Sequence, residues 1–94
     1  MLLFVRNPYY GAIKAGLKRY ELRSGARYAN VKPGDTLSIN GRFRVLIEAV
    51  EVCLSERAAL AACARSGYPL TSADIRACYP DARDLRLFHF SLMP

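Results

Sequence analysis

Eight consecutive residues, Gly16-Leu17-Lys18-Arg19-Tyr20-Glu21-Leu22-Arg23, concentrate the chemistry this chain can offer. Glu21 and Arg23 are two apart, so on a strand both side chains lie on one face. A carboxylate accepts and a guanidinium donates, and the pair together matches a nucleobase edge. Lys18 has the opposite parity on an ideal strand. It follows Gly16 by two residues, however, and projects from the turn toward the same cleft. Its ammonium supplies a point charge for a phosphate or, if buried, a tunable base. Tyr9, Tyr10 and Tyr20 add flat faces on which an unpaired base can stack. The same residues equally describe an ion pair on a strand, with the tyrosines as edges of the core.

Charge placement sharpens the picture. The formal net charge is +6 over 94 residues. Residues 1–32 hold seven cations, Arg6 and Lys18 among them, against one carboxylate, Glu21. The remainder holds seven arginines and seven acids, which cancel. A basic first third favours a polyanionic or phosphate-bearing partner and predicts one positive surface beside a cleft. No apolar stretch approaches the ~20 residues of a membrane span. The apolar start, Met1 to Val5, meets Arg6 at once and is too short for a signal-peptide core, so a cytoplasmic location, away from membranes, is expected. Three cysteines, Cys53, Cys63 and Cys78, are odd in number and without CxxC spacing. They read as buried reduced thiols, not as a disulfide or zinc framework. With a single histidine, His89, no metal site and no cofactor are expected. His89 sits in an apolar run and reads as a strand residue, not a general base.

The elements that must position these residues follow from local signals. Residues 2–6 read as a covered strand. Asn7 as N-cap and Pro8 at the first helical position open a helix over 8–15 that Gly16 closes. Residues 17–23 read as a strand, and 27–31 as a short one. Lys32-Pro33-Gly34-Asp35 suits a type II turn. Asn40-Gly41 is a hairpin signal between strands 36–40 and 42–52. Within the second of these the apolar parity switches, which predicts a bulge near Glu48. Ser55 caps a helix over 56–65, and Thr71 with Asp74 forms a capping box for another over 72–78, stopped by Tyr79-Pro80. Residues 85–92 are apolar on both faces, hence a central strand. One α+β domain over 1–94 is predicted, a small mixed β-barrel flanked by short helices and monomeric.

The octapeptide resembles the G-x-K-x-x-E-x-R signature of ASCH domains, small members of the PUA-like class. Ala12-Ile13-Lys14-Ala15-Gly16 before it and Pro33-Gly34-Asp35 after it agree, as do Tyr79-Pro80 and the apolar C-terminal strand. The resemblance implies a PUA-like barrel that binds RNA or a nucleoside. Arg6, Tyr9, Tyr10, Lys18, Tyr20, Glu21 and Arg23 would be its ligand-binding residues. Some small ASCH members hydrolyse N4-acylated cytidine with a Lys, a Thr and a Glu; others are nucleases. The resemblance matches that Lys to Lys18 and that Thr to position 21, which is Glu here. The stretch matching their Glu reads Ala61-Ala62-Cys63-Ala64-Arg65-Ser66, without an acid. A hydrolase acting on RNA or a modified nucleoside would therefore rest on Lys18 and Glu21. An RNA-binding module and a small-ligand or protein-binding domain are the alternatives.

Overall fold

The computed structural model describes residues 1–79 and 84–94. In chain order it contains β1 (Leu2–Leu3), α1 (Tyr9–Lys14), β2 (Tyr20–Ser24), a 3-10 turn (Ala26–Tyr28), β3 (Thr36–Ile39), β4 (Phe43–Cys53), α2 (Glu56–Arg65), α3 (Ser72–Cys78) and β5 (Leu85–Leu92). The five strands form one mixed sheet in the order β1-β3-β4-β5-β2. Only β1 and β3 run parallel; the other pairs are antiparallel.

The turn chemistry explains the middle of the sheet. Asn40 and Gly41 both take positive φ, 54° and 69°, as a type I′ hairpin requires, and the hairpin pairs β3 with β4. Gly34, at φ 94°, occupies the left-handed position of the preceding turn, which the Asp35 amide closes onto the Lys32 carbonyl at 3.1 Å. The expected bulge is present: the β4–β5 register slips between Ile47 and Ala49. One extra residue reverses which side chains face which layer. Val45 and Ile47 accordingly enter one core cluster, with Leu37, Ile39, Phe88 and Phe90, and Cys53 enters a second, with Leu22, Leu85 and Leu87. Strand β5 contributes to both clusters, which is why it is apolar on both faces and central. The two longer helices start as their caps dictate. Ser55 Oγ accepts from the Ala58 amide, and Thr71 and Asp74 form a reciprocal capping box.

Four expectations are corrected. Residues 27–31 are not a strand. Gly25, at φ 103°, turns the chain, and the Tyr28, Ala29 and Val31 amides bond locally to the Gly25, Ala26 and Tyr28 carbonyls in place of a ladder with a neighbour. Tyr28 then packs on Phe88. Strand β2 begins at Tyr20, not Leu17, because the Leu17 and Lys18 amides both donate to the Ala12 carbonyl at the end of α1. Helix α1 begins at Tyr9 with Pro8 in the cap position, after a cis Asn7–Pro8 peptide; the Asn7 side chain accepts from the Gly11 amide at 3.2 Å instead. Lastly, the sheet does not close into a barrel. Strand β1 is only two residues long, and no ladder joins it to β2 among the described residues. Pro80, expected to stop α3, lies outside the described residues.

The open seam between β1 and β2 is bridged by side chains. Arg23 reaches across it, Nη2 donating to the Phe4 carbonyl at 2.6 Å. On the other side of the same segment, Asn40 imitates a strand partner for Val5. Its Oδ1 accepts from the Val5 amide at 2.7 Å, and its Nδ2 donates to the Val5 carbonyl at 2.9 Å. These bonds fix the path of residues 4–7 along one lip of the seam.

Candidate ligand-binding cleft

A cleft of about 350 Å³ opens at this seam. Such a volume falls within the range of about 300–1,000 Å³ typical of small-molecule sites. One wall is the segment Phe4–Asn7 with Tyr9. The floor is Lys18 with Glu21 to Arg23, and α3 with Tyr79 closes the far side.

The floor holds a charge network. Lys18 is 2% and Glu21 6% exposed, and these are the two buried charged residues among the described ones. Lys18 Nζ donates to Glu21 Oε1 at 3.1 Å and to the Tyr20 carbonyl at 3.0 Å. Glu21 Oε1 also accepts from the Leu22 amide at 3.1 Å, while Oε2 accepts from Arg23 Nη2 at 2.9 Å. One carboxylate thus holds two cations. Burial works against the Arg23 cation, but the charge of Glu21 and its hydrogen bond, with smaller contributions from Tyr79 and Tyr28, together outweigh it, and the guanidinium is held above its ordinary pKa. The Lys18 ammonium lies 4.5 Å from the Tyr20 ring centroid and 5.2 Å from that of Tyr9, within cation–π range of both.

The network has unused capacity. An ammonium has three donors, and two bonds are recorded for Lys18. A carboxylate has about four acceptor sites, and three are filled on Glu21. Arg23 Nε is buried with no partner among the described residues. An unmet buried donor costs about 1–3 kcal/mol; Arg86 Nε, outside the cleft lining, is in the same state.

The structure sorts the seven residues singled out in the sequence. Arg6, Tyr9, Lys18, Glu21 and Arg23 line the cleft together. Tyr20 does not: it is fully buried, its hydroxyl donating to the Tyr68 carbonyl at 2.6 Å. Burial pushes that phenol far above its ordinary pKa, and the same burial closes its ring to any stacking base. Tyr10 packs on Phe43 and faces a different groove. The basic first third is likewise dispersed: Lys14 joins Tyr10 at that second groove, and Arg27 lies at a third depression beside Met1. The single positive surface expected beside one cleft is not what forms. Helical periodicity turns Lys14 away from Tyr9.

Residues missed in the sequence come from α3 and its end. Tyr79 donates its hydroxyl to the Leu22 carbonyl and so ties this wall to the floor. Burial, followed by the charge of Glu21, raises its pKa. Leu70 and Asp74 also line the cleft. Asp74 is committed to the capping box, where the Thr71 amide and then the Thr71 hydroxyl hold its carboxyl below its ordinary pKa. The capping signal located α3, but nothing in its sequence said which element it would cover. Cys78 corrects another expectation: it is exposed at the cleft, whereas Cys53 and Cys63 are buried, and all three are free thiols. His89 lies away from the cleft, Nε2 at 3.3 Å from Glu51 Oε1. Among the described residues no cluster of His, Cys, Asp and Glu could hold a metal ion, and no helix is long and apolar enough to cross a membrane.

No family model matches the chain, and no curated protein matches it. Solved structures share its fold. The crystal structure of hypothetical protein PH0355 has a TM-score of 0.81 at 18% identity and covers 98% of this chain and 97% of its own. The solution structure of protein PF0455 from Pyrococcus furiosus has a TM-score of 0.71, also at 18% identity, over 98% and 96%. These likenesses define a class, a small α+β fold on a five-stranded mixed sheet, and span nearly its whole length.

Proposed function

We propose that this chain is an ASCH-type domain whose seam cleft binds a nucleobase, carried by a nucleoside or by an unpaired nucleotide of RNA. The observation that supports this reading best is the Lys18–Glu21–Arg23 network. Charged groups are rarely buried for stability, because desolvation offsets most of what pairing returns. A buried network with spare donors and a spare acceptor, placed on the floor of a cleft, is instead what recognition of a polar edge requires. Tyr9 beside it offers a ring for the base, and exposed Arg6 at the lip offers a charge for a phosphate.

Hydrolysis has less behind it. Lys18 Nζ is already engaged by a carboxylate and a carbonyl within the floor network. Among the described residues no serine or threonine lines the cleft, and its one thiol is Cys78.

The test is a titration of the full chain with the four ribonucleosides, followed by NMR and calorimetry. Resonances of Lys18 to Arg23 should shift. Arg23→Ala and Tyr9→Ala should weaken binding, the former by about ten- to a hundredfold, as expected for a lost charge-assisted hydrogen bond. Arg57→Ala, on α2, should not. Nucleosides that leave those resonances unmoved would refute the reading. Release of cytidine from N4-acetylcytidine, abolished by Lys18→Ala, would make the site an enzyme's.

A further inference from the structure

Helix α1 separates the cleft from a second groove. Tyr9 faces the cleft, while its neighbour Tyr10, about 100° further around the helix, faces the groove. We propose that this second groove binds a single-stranded segment of nucleic acid, stacking a base on Tyr10 and Phe43 and holding the flanking phosphates with Lys14 and Arg42.

The groove measures about 560 Å³ and is built from three parts of the chain. Tyr10 and Lys14 come from α1, four residues apart and so on one face. Arg42 and Phe43 come from the hairpin that Asn40 and Gly41 create. Leu92 and Met93, at the end of β5, supply an apolar floor. The rings of Tyr10 and Phe43 lie 5.9 Å apart at 39°, and both are half-buried against the core, so they are held in place before any ligand arrives.

Charge selects the occupant. Among the described residues, no acidic side chain lines the groove. Of the other exposed cations, Lys32, Arg65 and Arg76 are matched by Asp35, Glu51 and Glu56, while Arg6, Arg19, Arg27, Arg44 and Arg57 have no carboxylate partner among the described residues; what sets Lys14 and Arg42 apart is that they flank two fixed rings. Lys14 and Arg42 are exposed and have no such partner among the described residues. Uncompensated cations flanking fixed aromatic faces are what a single strand needs, since every base has a stacking face and every link carries a charge. An acidic peptide would use the cations and leave the rings idle. The groove shares its ligand class with the proposed cleft but none of its residues, so each assignment can fail without the other.

The experiment measures binding of the full chain to a fluorescein-labelled oligouridylate of about eight nucleotides, within the span of known single-strand sites. Anisotropy is followed across a salt series. The double variant Lys14→Ala/Arg42→Ala should lower the slope of log K against log salt by about 1.4, two phosphate contacts at ~0.7 each. Tyr10→Leu, which preserves an apolar contact with the core, should weaken binding roughly five- to a hundredfold through lost stacking. Should Tyr10→Leu misfold by circular dichroism, the surface double variant still decides. An unchanged slope in the double variant, or an equal loss in Arg57→Ala/Arg65→Ala, would overturn the proposal. So would poly-glutamate binding with the same dependence on Lys14 and Arg42, which would make the groove a site for acidic peptides. Arg23→Ala tells the two sites apart: it should weaken nucleoside binding in the cleft about ten- to a hundredfold and leave the salt slope of the groove intact.

Discussion

Replacing Glu21 with Gln probes the buried network most directly. The carboxylate accepts from Lys18 at 3.1 Å, from the Leu22 amide at 3.1 Å and from Arg23 at 2.9 Å. Gln keeps the size and one acceptor oxygen but removes the charge that two cations share. That one oxygen can face Lys18 or Arg23 but not both, so one buried cation meets the amide NH2 in place of an acceptor, and neither keeps its counter-charge; Lys18 is 2% exposed and cannot recover hydration. Removing one partner of a buried ion pair costs about 3–5 kcal/mol. The Arg23 side chain is 19% exposed and recovers some hydration, which places the expected loss near the lower bound, about 3 kcal/mol. Lys18→Met is a gentler change. Met keeps the stem, and Glu21 keeps Arg23 and the Leu22 amide; the two bonds of the ammonium, to Glu21 and to the Tyr20 carbonyl, are lost, but so is the cost of burying the ammonium, which leaves a net loss of about 1.5–3 kcal/mol. The double variant buries no unpaired lysine, so its cost should fall short of the sum by about 1–3 kcal/mol. Urea unfolding of the four proteins gives these values. For a chain of 94 residues, each kcal/mol shifts Tm by about 4–8 °C, so Glu21→Gln should melt roughly 12–24 °C lower. Two results would refute the reasoning: Glu21→Gln costing no more than Lys18→Met, or strictly additive single costs in the double variant.

Three further outcomes are expected. Asp74 has a depressed carboxyl pKa, so its stabilisation is present above its unfolded value of about 3.9 and is lost as pH falls through the lower folded value. The urea midpoint of the wild type should therefore drop more steeply below about pH 4 than that of Asp74→Asn, and parallel acid limbs would contradict this. Asn40→Gly preserves the left-handed turn but removes both bonds to Val5, so unfolding experiments should show a loss of about 1–3 kcal/mol. The same variant should loosen the lip of the cleft, read as faster amide exchange at Val5 and Arg6. His89→Gln should leave nucleoside affinity within about twofold of wild type by calorimetry, since its ring contacts Glu51 and does not line the cleft. A selective loss of affinity with the fold intact would make His89 a site residue.

Local signals were legible in the sequence wherever one or two residues impose a backbone state. Asn40-Gly41, Pro33-Gly34, Gly16, Ser55 and the Thr71–Asp74 box each act within a few residues, and the elements they bound are present. The slip in apolar parity along 42–52 disclosed the bulge for the same reason: a strand of period two records an inserted residue directly. The pairing of Lys18 with Glu21 was also within reach, because opposite charges three residues apart beside a turn meet without long-range help.

What depended on distant partners was not legible. Whether β1 would reach β2 is decided by how far a two-residue strand can extend before Asn40 captures Val5, a contact 35 residues long. Tyr20 and Tyr9 look alike in the chain, yet one is sealed by Tyr68, 48 residues away, and the other is left at the cleft. Tyr10 is turned from the site by a ring, Phe43, that only the hairpin brings to it. The far wall, α3 and Tyr79, joins the floor through a bond spanning 57 residues. The sequence by itself determined which residues could do chemistry and where the chain turns, since propensity and charge are local. The tertiary structure alone decided which of them share a cavity, because burial and seam geometry are set by contacts between segments that carry no mark of one another.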